Sequence, residues 1–298
     1  MSQNTDTPDA ALFDSLRPRL TGLAYRILGS LSDAEDVVQD TFVKWARADR
    51  PSIDNPTGWL VTACTRRCLD VRRTGDRARV DYVGAWLPEP IQISTDMDAE
   101  ARLTLSSSLS MAFLTMLERL TPKERAAFLL HDIFDLPHAD VARTLDVTEA
   151  SSRKLVSRAR GHVGRSVVRH DVPVDRQMAF LSAFQNAVQA GDVGSLSSML
   201  AADARLRADG GGKVPAVLEP VVGRAALCAF LANDLGTYWG GHDWTVADLN
   251  GARGIFIGVD GRITAAVSFA YDQDHRVDDI FIVRNPDKLT RRDAVYIH

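Results

Sequence analysis

Between Arg153 and Arg169 the chain carries six Lys or Arg and no acid. Ser152, Leu155, Val156, Ala159 and Val163 recur at i, i+3, i+4, i+7 and i+11, the spacing of one helix face. The opposite face shows Ser151, Arg153, Lys154, Ser157, Arg158 and Arg160. Guanidinium and ammonium groups neutralise phosphates, and hydroxyls reach backbone and base edges, so this face suits the major groove of duplex DNA. A second basic run, Arg66, Arg67, Arg72, Arg73, Arg77 and Arg79, meets only Asp70 and Asp76 and follows Trp59. Cations that track a backbone beside a ring that stacks a base would hold single-stranded nucleic acid, although Trp59 reads equally well as core. A third face, Asp36, Gln39, Asp40 and Lys44, is either an ordinary solvated surface or a docking face for a protein.

Catalytic chemistry is hard to find. Asp209, His242, Asp243 and Asp279 are acid or base candidates by type only. Asp209-Gly210-Gly211-Gly212-Lys213 lacks the G-x-x-x-x-G-K-[ST] spacing of a phosphate loop and reads as a glycine-rich loop approaching another backbone closely. Cys64 and Cys68 stand at i, i+4 on a helix and Cys228 far away; with no nearby His or third Cys they read as packed thiols. The expectation is a protein that is not an enzyme and has neither metal nor cofactor.

The 298 residues leave room for two or three domains. Net charge is −4, so no bulk cationic field draws the chain to nucleic acid. Residues 1–170 hold 23 basic and 23 acidic side chains, and residues 171–298 hold 12 and 16. Nucleic-acid binding must therefore come from local patches. With no long apolar run and no charged-then-apolar leader, the sequence is expected to be cytosolic, and a monomer is favoured.

The elements that must position these residues follow in order. A helix is expected from Ala11 to Leu28, with Pro18 as a kink point, and a second from Asp33 to about Ala48, opened by a Ser32/Glu35 capping box. A loop over 51–56 leads into the helix of Trp59 and Arg66. Thr121-Pro122-Lys123-Glu124 opens another helix, Pro137 breaks it, and a short helix over 138–145 ends at Asp146, a residue that tolerates a left-handed backbone. Thr148 then caps the basic helix. Beyond residue 170 come helices at 174–190, 195–200 and 223–235. Strands are expected at 204–208, 217–222, 244–249, 254–259, 263–271 and 277–283, with Asp260-Gly261 a hairpin turn.

Three stretches taken together, DAEDVVQDTFVKWAR, NPTGWLVTACTRRCLDVRR and LTPKERAAFLL…DVARTLDVTEASSRKLVSRAR, resemble an extracytoplasmic-function (ECF) sigma factor over roughly residues 10–165. The resemblance implies two all-α domains, sigma-2 over 10–80 and a sigma-4 helix-turn-helix over 106–170, joined by a linker at 81–105. It implies core RNA polymerase and promoter DNA as partners. The 33–48 helix would dock on polymerase through Asp36, Gln39, Asp40 and Lys44. Trp59, Arg66, Arg67, Arg72 and Arg73 would capture melted promoter. Ser151, Arg153, Lys154, Ser157 and Arg158 would read the upstream duplex element. Asp146 stands where many such turns use Gly, and Pro137 where a Ser-type cap is common.

The region over 174–290 resembles the α+β SnoaL-like cone. The Trp86-Leu87-Pro88-Glu89-Pro90 cluster, the Asp209–Lys213 loop and Arg284–Leu289 resemble the ECF subgroup with that domain fused. The linker is either a passive tether, an acidic segment (Glu89, Asp96, Asp98, Glu100) mimicking nucleic acid in the polymerase cleft, or a strap that Trp86, Leu87 and Pro88 pin to a folded neighbour. The C-terminal domain is expected to act as a built-in regulator contacting the linker or the sigma-2/sigma-4 pair, with room for an unknown small ligand. Two alternatives stay open: a helix-turn-helix repressor with a ligand-sensing domain, and a SnoaL-like enzyme with a DNA-binding half.

Overall fold

The computed structural model describes residues 8–80, 82–92, 108–163 and 172–290. Among these, residues 8–78 and 116–163 form one compact unit, and residues 79–80, 82–92, 108–115 and 172–290 form another. The segment with Asp96, Asp98 and Glu100 lies outside the described residues.

The first unit is all helical. Helix α1 (Pro8–Leu28) continues through Pro18. It ends at Gly29, whose φ of 72° takes the chain out of the helix while its N–H bonds to the Tyr25 carbonyl at 2.7 Å. Because the turn is that tight, α2 (Leu31–Ala46) is capped by Ser30 rather than Ser32, with Asp33 N donating to Ser30 Oγ at 3.2 Å. Helix α3 (Pro56–Val80) follows a 3-10 turn at Arg50–Ser52. These helices bury Phe13, Leu20, Leu23, Ile27, Val37, Val38, Trp45, Leu60, Cys64 and Cys68. Both thiols are free, and burial pushes the Cys68 thiol well above its usual range.

Helix α4 (Met111–Leu117) precedes α5 (Pro122–Phe128), where Thr121 and Glu124 form a reciprocal capping box. A π-helical turn, Leu129–Ile133, extends α5. Pro137 ends that segment and stands immediately before α6 (His138–Leu145). Asp146, at φ 53°, turns the chain towards α7 (Glu149–Val163), and Thr148 Oγ1 accepts from Ser151 N at 3.2 Å. Ser152, Val156, Ala159 and Val163 are the buried residues of α7.

The second unit is α+β. Helices α8 (Val174–Ala190) and α9 (Gly194–Met199) lead into β1 (Leu200–Asp209). Strand β2 is only Val221–Val222, shorter than expected, because Pro215 and Pro220 bring no N–H to a ladder. Helix α10 (Arg224–Phe230) runs through a π turn into α11 (Gly236–Trp239). A meander closes the unit: β3 (Asp243–Leu249), β4 (Ala252–Val259), β5 (Arg262–Tyr271) and β6 (Val277–Val283). The sheet order is β2-β1-β6-β5-β4-β3, and only β1 and β6 run parallel. Helix, helix, strands, helix and then a meander is the element order expected from the sequence. Strand alternation sends Ile255, Ile257, Val267, Ile280 and Ile282 into one core with Phe180, Phe184, Leu227 and Leu231 from the helices. Phe256, Ala266, Phe281 and Val283 form a second core with Leu87 and Met111 from the connector and with Leu289.

Candidate nucleic-acid interface and connector

The upstream-reading candidates stand together on α7. Arg153, Lys154, Ser157 and Arg158 are exposed and Ser151 is half-exposed. Arg153 pairs with Glu149 one turn back, and the Ser151 and Thr148 hydroxyls lie 2.9 Å apart. Arg160 leaves this set: it makes a bidentate bond to Asp132 at 2.7 and 2.8 Å, which holds α7 to the π turn.

The candidates on α3 differ in exposure and in partners. Arg67 and Arg73 are exposed and ion-paired, with Asp40 at 2.8 Å and with Asp70. Trp59 is half-buried, its ring 5.5 Å from that of Trp45. Arg66 donates to the carbonyls of Arg143 at 2.8 Å and Thr144 at 2.9 Å, at the carboxyl end of α6. Arg72 departs from the expectation of a surface cation. It is 6 % exposed and donates to the Ile27 carbonyl at 3.2 Å and to both oxygens of Glu118, at 2.9 and 3.3 Å. The side chains of Arg77 and Arg79 lie outside the described residues. A cleft of about 720 Å³ sits between Lys44, Asn55, Trp59 and Arg66 on one wall and Asp140, Arg143 and Thr144 on the other. On α2, Asp36, Gln39, Asp40 and Lys44 are all exposed.

In the second unit the three linker residues and the glycine-rich loop meet at Asp209. Its buried carboxylate accepts from Tyr82 Oη at 2.5 Å, Leu87 N at 2.9 Å, Gly211 N at 3.0 Å and Lys288 Nζ at 2.7 Å. Lys288 Nζ also sits 4.1 Å from the centre of the Trp86 ring and donates to the Leu87 carbonyl at 2.5 Å. Burial first, then the bond to Asp209, raises the Tyr82 phenol, so it remains a donor. Leu87 and Pro88 are buried beside it. The glycines permit this fit: a Cβ on Gly210 would lie 2.4 Å from the Val214 carbonyl, and one on Gly211, at φ 62°, would lie 2.4 Å from Asn285 Nδ2. Lys213 reaches Asp287 at 2.6 Å. The other acid candidates differ: Asp279 is ion-paired with Arg205 and Arg207, Asp243 is exposed and His242 is half-exposed.

Residues 12–78 match the family model for Sigma-70 region 2, and residues 110–163 match that for Sigma-70, region 4. The ECF RNA polymerase sigma factor SigJ of Mycobacterium tuberculosis is 35% identical over 299 residues, covering 93% of this chain and 92% of that protein. SigI of the same organism is 35% identical over 202 residues, covering 67% of this chain and 69% of its own. The crystal structure of SigJ has a TM-score of 0.72 at 32% identity and covers 94% of this chain and 98% of that one. This chain belongs to the ECF RNA polymerase sigma factors.

In a sigma factor, the residues missed by sequence reasoning are those that bind distant parts of the chain to one another. Glu118 is the shared counter-ion of Arg72 and Arg125, which lies 2.7 Å away and is fully buried. Arg125 also donates to Ile27 O at 2.8 Å, so Glu118 and the Ile27 carbonyl join region 2 to region 4 of this sigma factor, as do the Arg66 bonds to Arg143 and Thr144. Nothing local in the sequence marks Glu118. Asn250 is the other, and its signal was present: Asn250-Gly251 between two apolar runs is a hairpin signature. Among the described residues no helix is long and apolar enough to cross a membrane.

Proposed function

We propose that this sigma factor binds core RNA polymerase through the α2 face of Asp36, Gln39, Asp40 and Lys44 and directs it to promoters by two separate DNA contacts. The α7 face of Ser151, Arg153, Lys154, Ser157 and Arg158 reads duplex in the major groove. Trp59, Arg66, Arg67 and Arg73 hold melted strand, and Arg72 supports them from below. The observation that carries this reading is the α7 face itself: Arg153, Lys154, Ser157 and Arg158 are exposed, while Ser152, Val156 and Ala159 seat the helix. The chain supplies no chemistry of its own; the C-terminal domain regulates by binding the connector, and Asp209 and Asp279, the candidates it would offer a reaction, are tied into hydrogen bonds and ion pairs. The test is co-elution with core polymerase followed by promoter-directed transcription. Wild type and Arg153→Ala/Lys154→Ala should co-elute equally, and only wild type should initiate at the promoter. Promoter use by the double variant would remove the α7 assignment, and failure of wild type to co-elute would return the repressor reading.

A further inference from the structure

Helix α7 carries a single acid, Glu149, among its exposed cations. Glu149 is the first residue of the helix, follows the Thr148 cap and bonds to Arg153 one turn further on. Both side chains reach solvent, Glu149 at 47% exposure and Arg153 at 60%. Arg160, two turns beyond Arg153 on the same flank, does not share this acid, because it is committed to Asp132. A carboxylate is the one group on this face that phosphates repel, and it stands at the end of the helix that goes deepest into a groove. In a helix-turn-helix the first residues of the second helix meet base edges, while the cations around them meet the backbone.

The chemistry of the groove limits what Glu149 can accept there. Its bond to Arg153 joins two exposed side chains and is weak enough for DNA to take the guanidinium in exchange. Glu149 then loses its counter-charge inside the negative field of the phosphates. No phosphate, guanine acceptor or thymine carbonyl can satisfy it. The major groove offers two donors, the N4 amino group of cytosine and the N6 amino group of adenine. Adenine sets its N7 acceptor beside that amino group, where it repels the second carboxylate oxygen; cytosine sets a C–H there. Only cytosine therefore pairs the carboxylate without a like-charge contact, and every other base leaves it desolvated and unpaired.

We propose that Glu149 is a specificity-determining residue that reads a cytosine in the upstream duplex element. On other sequences the Glu149–Arg153 pair stays closed, and the charge of Arg153 is cancelled before it can grip a phosphate. The inference rests on the α7 reading above and adds which base that face selects. A purely structural Glu149, which favours the amino end of the helix through its charge, would change stability without changing the choice of base. The two roles are separated by Glu149→Gln, because a glutamine amide donates as well as accepts and matches adenine through N6 and N7.

The experiment uses the full chain assembled with core polymerase. Wild type, Glu149→Gln and Glu149→Ala holoenzymes each select from a duplex library randomised over the upstream element, and affinities are then measured on single-base variants of the sequence wild type prefers. Wild type should favour cytosine at one position by roughly ten-fold or more over the other bases. Glu149→Gln should favour adenine at that same position and keep the remaining preferences. Glu149→Ala should show no preference there and should bind random-sequence duplex more tightly than wild type. Identical preferences in all three chains overturn the proposal, and so does loss of preference at every position in Glu149→Ala, which would mark a structural role. A wild-type holoenzyme that selects no upstream sequence is the different result that overturns the α7 reading, and the role of Glu149 with it.

Discussion

Replacing Asp209 with Asn tests whether the C-terminal unit holds the connector by charge. The carboxylate is fully buried, faces four donors and neutralises Lys288, whose side chain is 10% exposed. An amide turns an N–H₂ group towards two of those donors and leaves the ammonium without its counter-charge. Breaking a buried ion pair from one side costs about 3–5 kcal/mol, and for a unit of this size each kcal/mol lowers the midpoint by roughly 2–4 °C. The transition of the second unit should therefore fall by roughly 10 °C, read by circular dichroism or calorimetry. The decisive assay is a double-mutant cycle with Lys288→Met. If Asp209 and Lys288 act as a pair, the double variant should be more stable than the sum of the single losses predicts by more than about 1 kcal/mol. Additivity within about 0.5 kcal/mol would refute the reasoning and leave Asp209 as an acceptor of backbone and phenol bonds alone.

Other perturbations test the remaining contacts. Asp36→Arg with Asp40→Arg should weaken core polymerase binding in a titration without lowering the melting temperature by more than a degree or two, since the Asp40–Arg67 pair it breaks is exposed and worth at most about 1 kcal/mol. Glu118→Gln should destabilise the first unit by about 3–5 kcal/mol in urea titration, because Arg72 and Arg125 stay buried without their counter-ion; Arg125→Met in the same chain should restore part of it. Asp278 ionises near 6 in the folded chain, raised mainly by burial and then by Asp279, against 3.8 for an ordinary Asp. Between those values the folded state keeps a proton that the unfolded chain releases, so stability should fall as pH rises from 4 to 6 and level off above. Asp278→Asn should reduce that slope in thermal melts across the same range, the remainder coming from Asp279, which burial also raises.

Legibility in the sequence followed the range of the interactions. The core face of α7 is a local period of 3.6, and the Thr121/Glu124 box, the Asp146 turn and the Asp260-Gly261 hairpin are each decided within four residues; all formed as read. The Ser30 cap was missed by two residues because Gly29 was read as an end and not as the turn that also starts α2. Strand β2 was overextended because apolar residues outweighed the prolines beside them. The meeting of the linker with the Asp209–Lys213 loop came from resemblance, since nothing in the spacing of residues more than 120 apart requires it. Arg72 was misjudged for the same reason: its neighbours Arg66, Arg67 and Arg73 made it look like one of a cationic row, and only the fold shows Glu118 beneath it.

That contrast sorts the arginines of this sigma factor by what can replace their partners. Arg67, Arg73 and Arg153 are held by exposed carboxylates, interactions worth at most about 1 kcal/mol and screened by salt, so a DNA phosphate can take the place of each acid at small cost. Arg72 and Arg125 are held by a carboxylate shared out of water, where loss of the partner is too expensive for exchange. Arg66 stands between them: it is exposed, but its acceptors are two backbone carbonyls at a helix end, where the dipole already favours a cation. A phosphate with full charge outcompetes those carbonyls only if α6 can move away. On the proposed reading, the outer cations would exchange partners first, Arg66 only if region 4 shifts, and Arg72 at no stage.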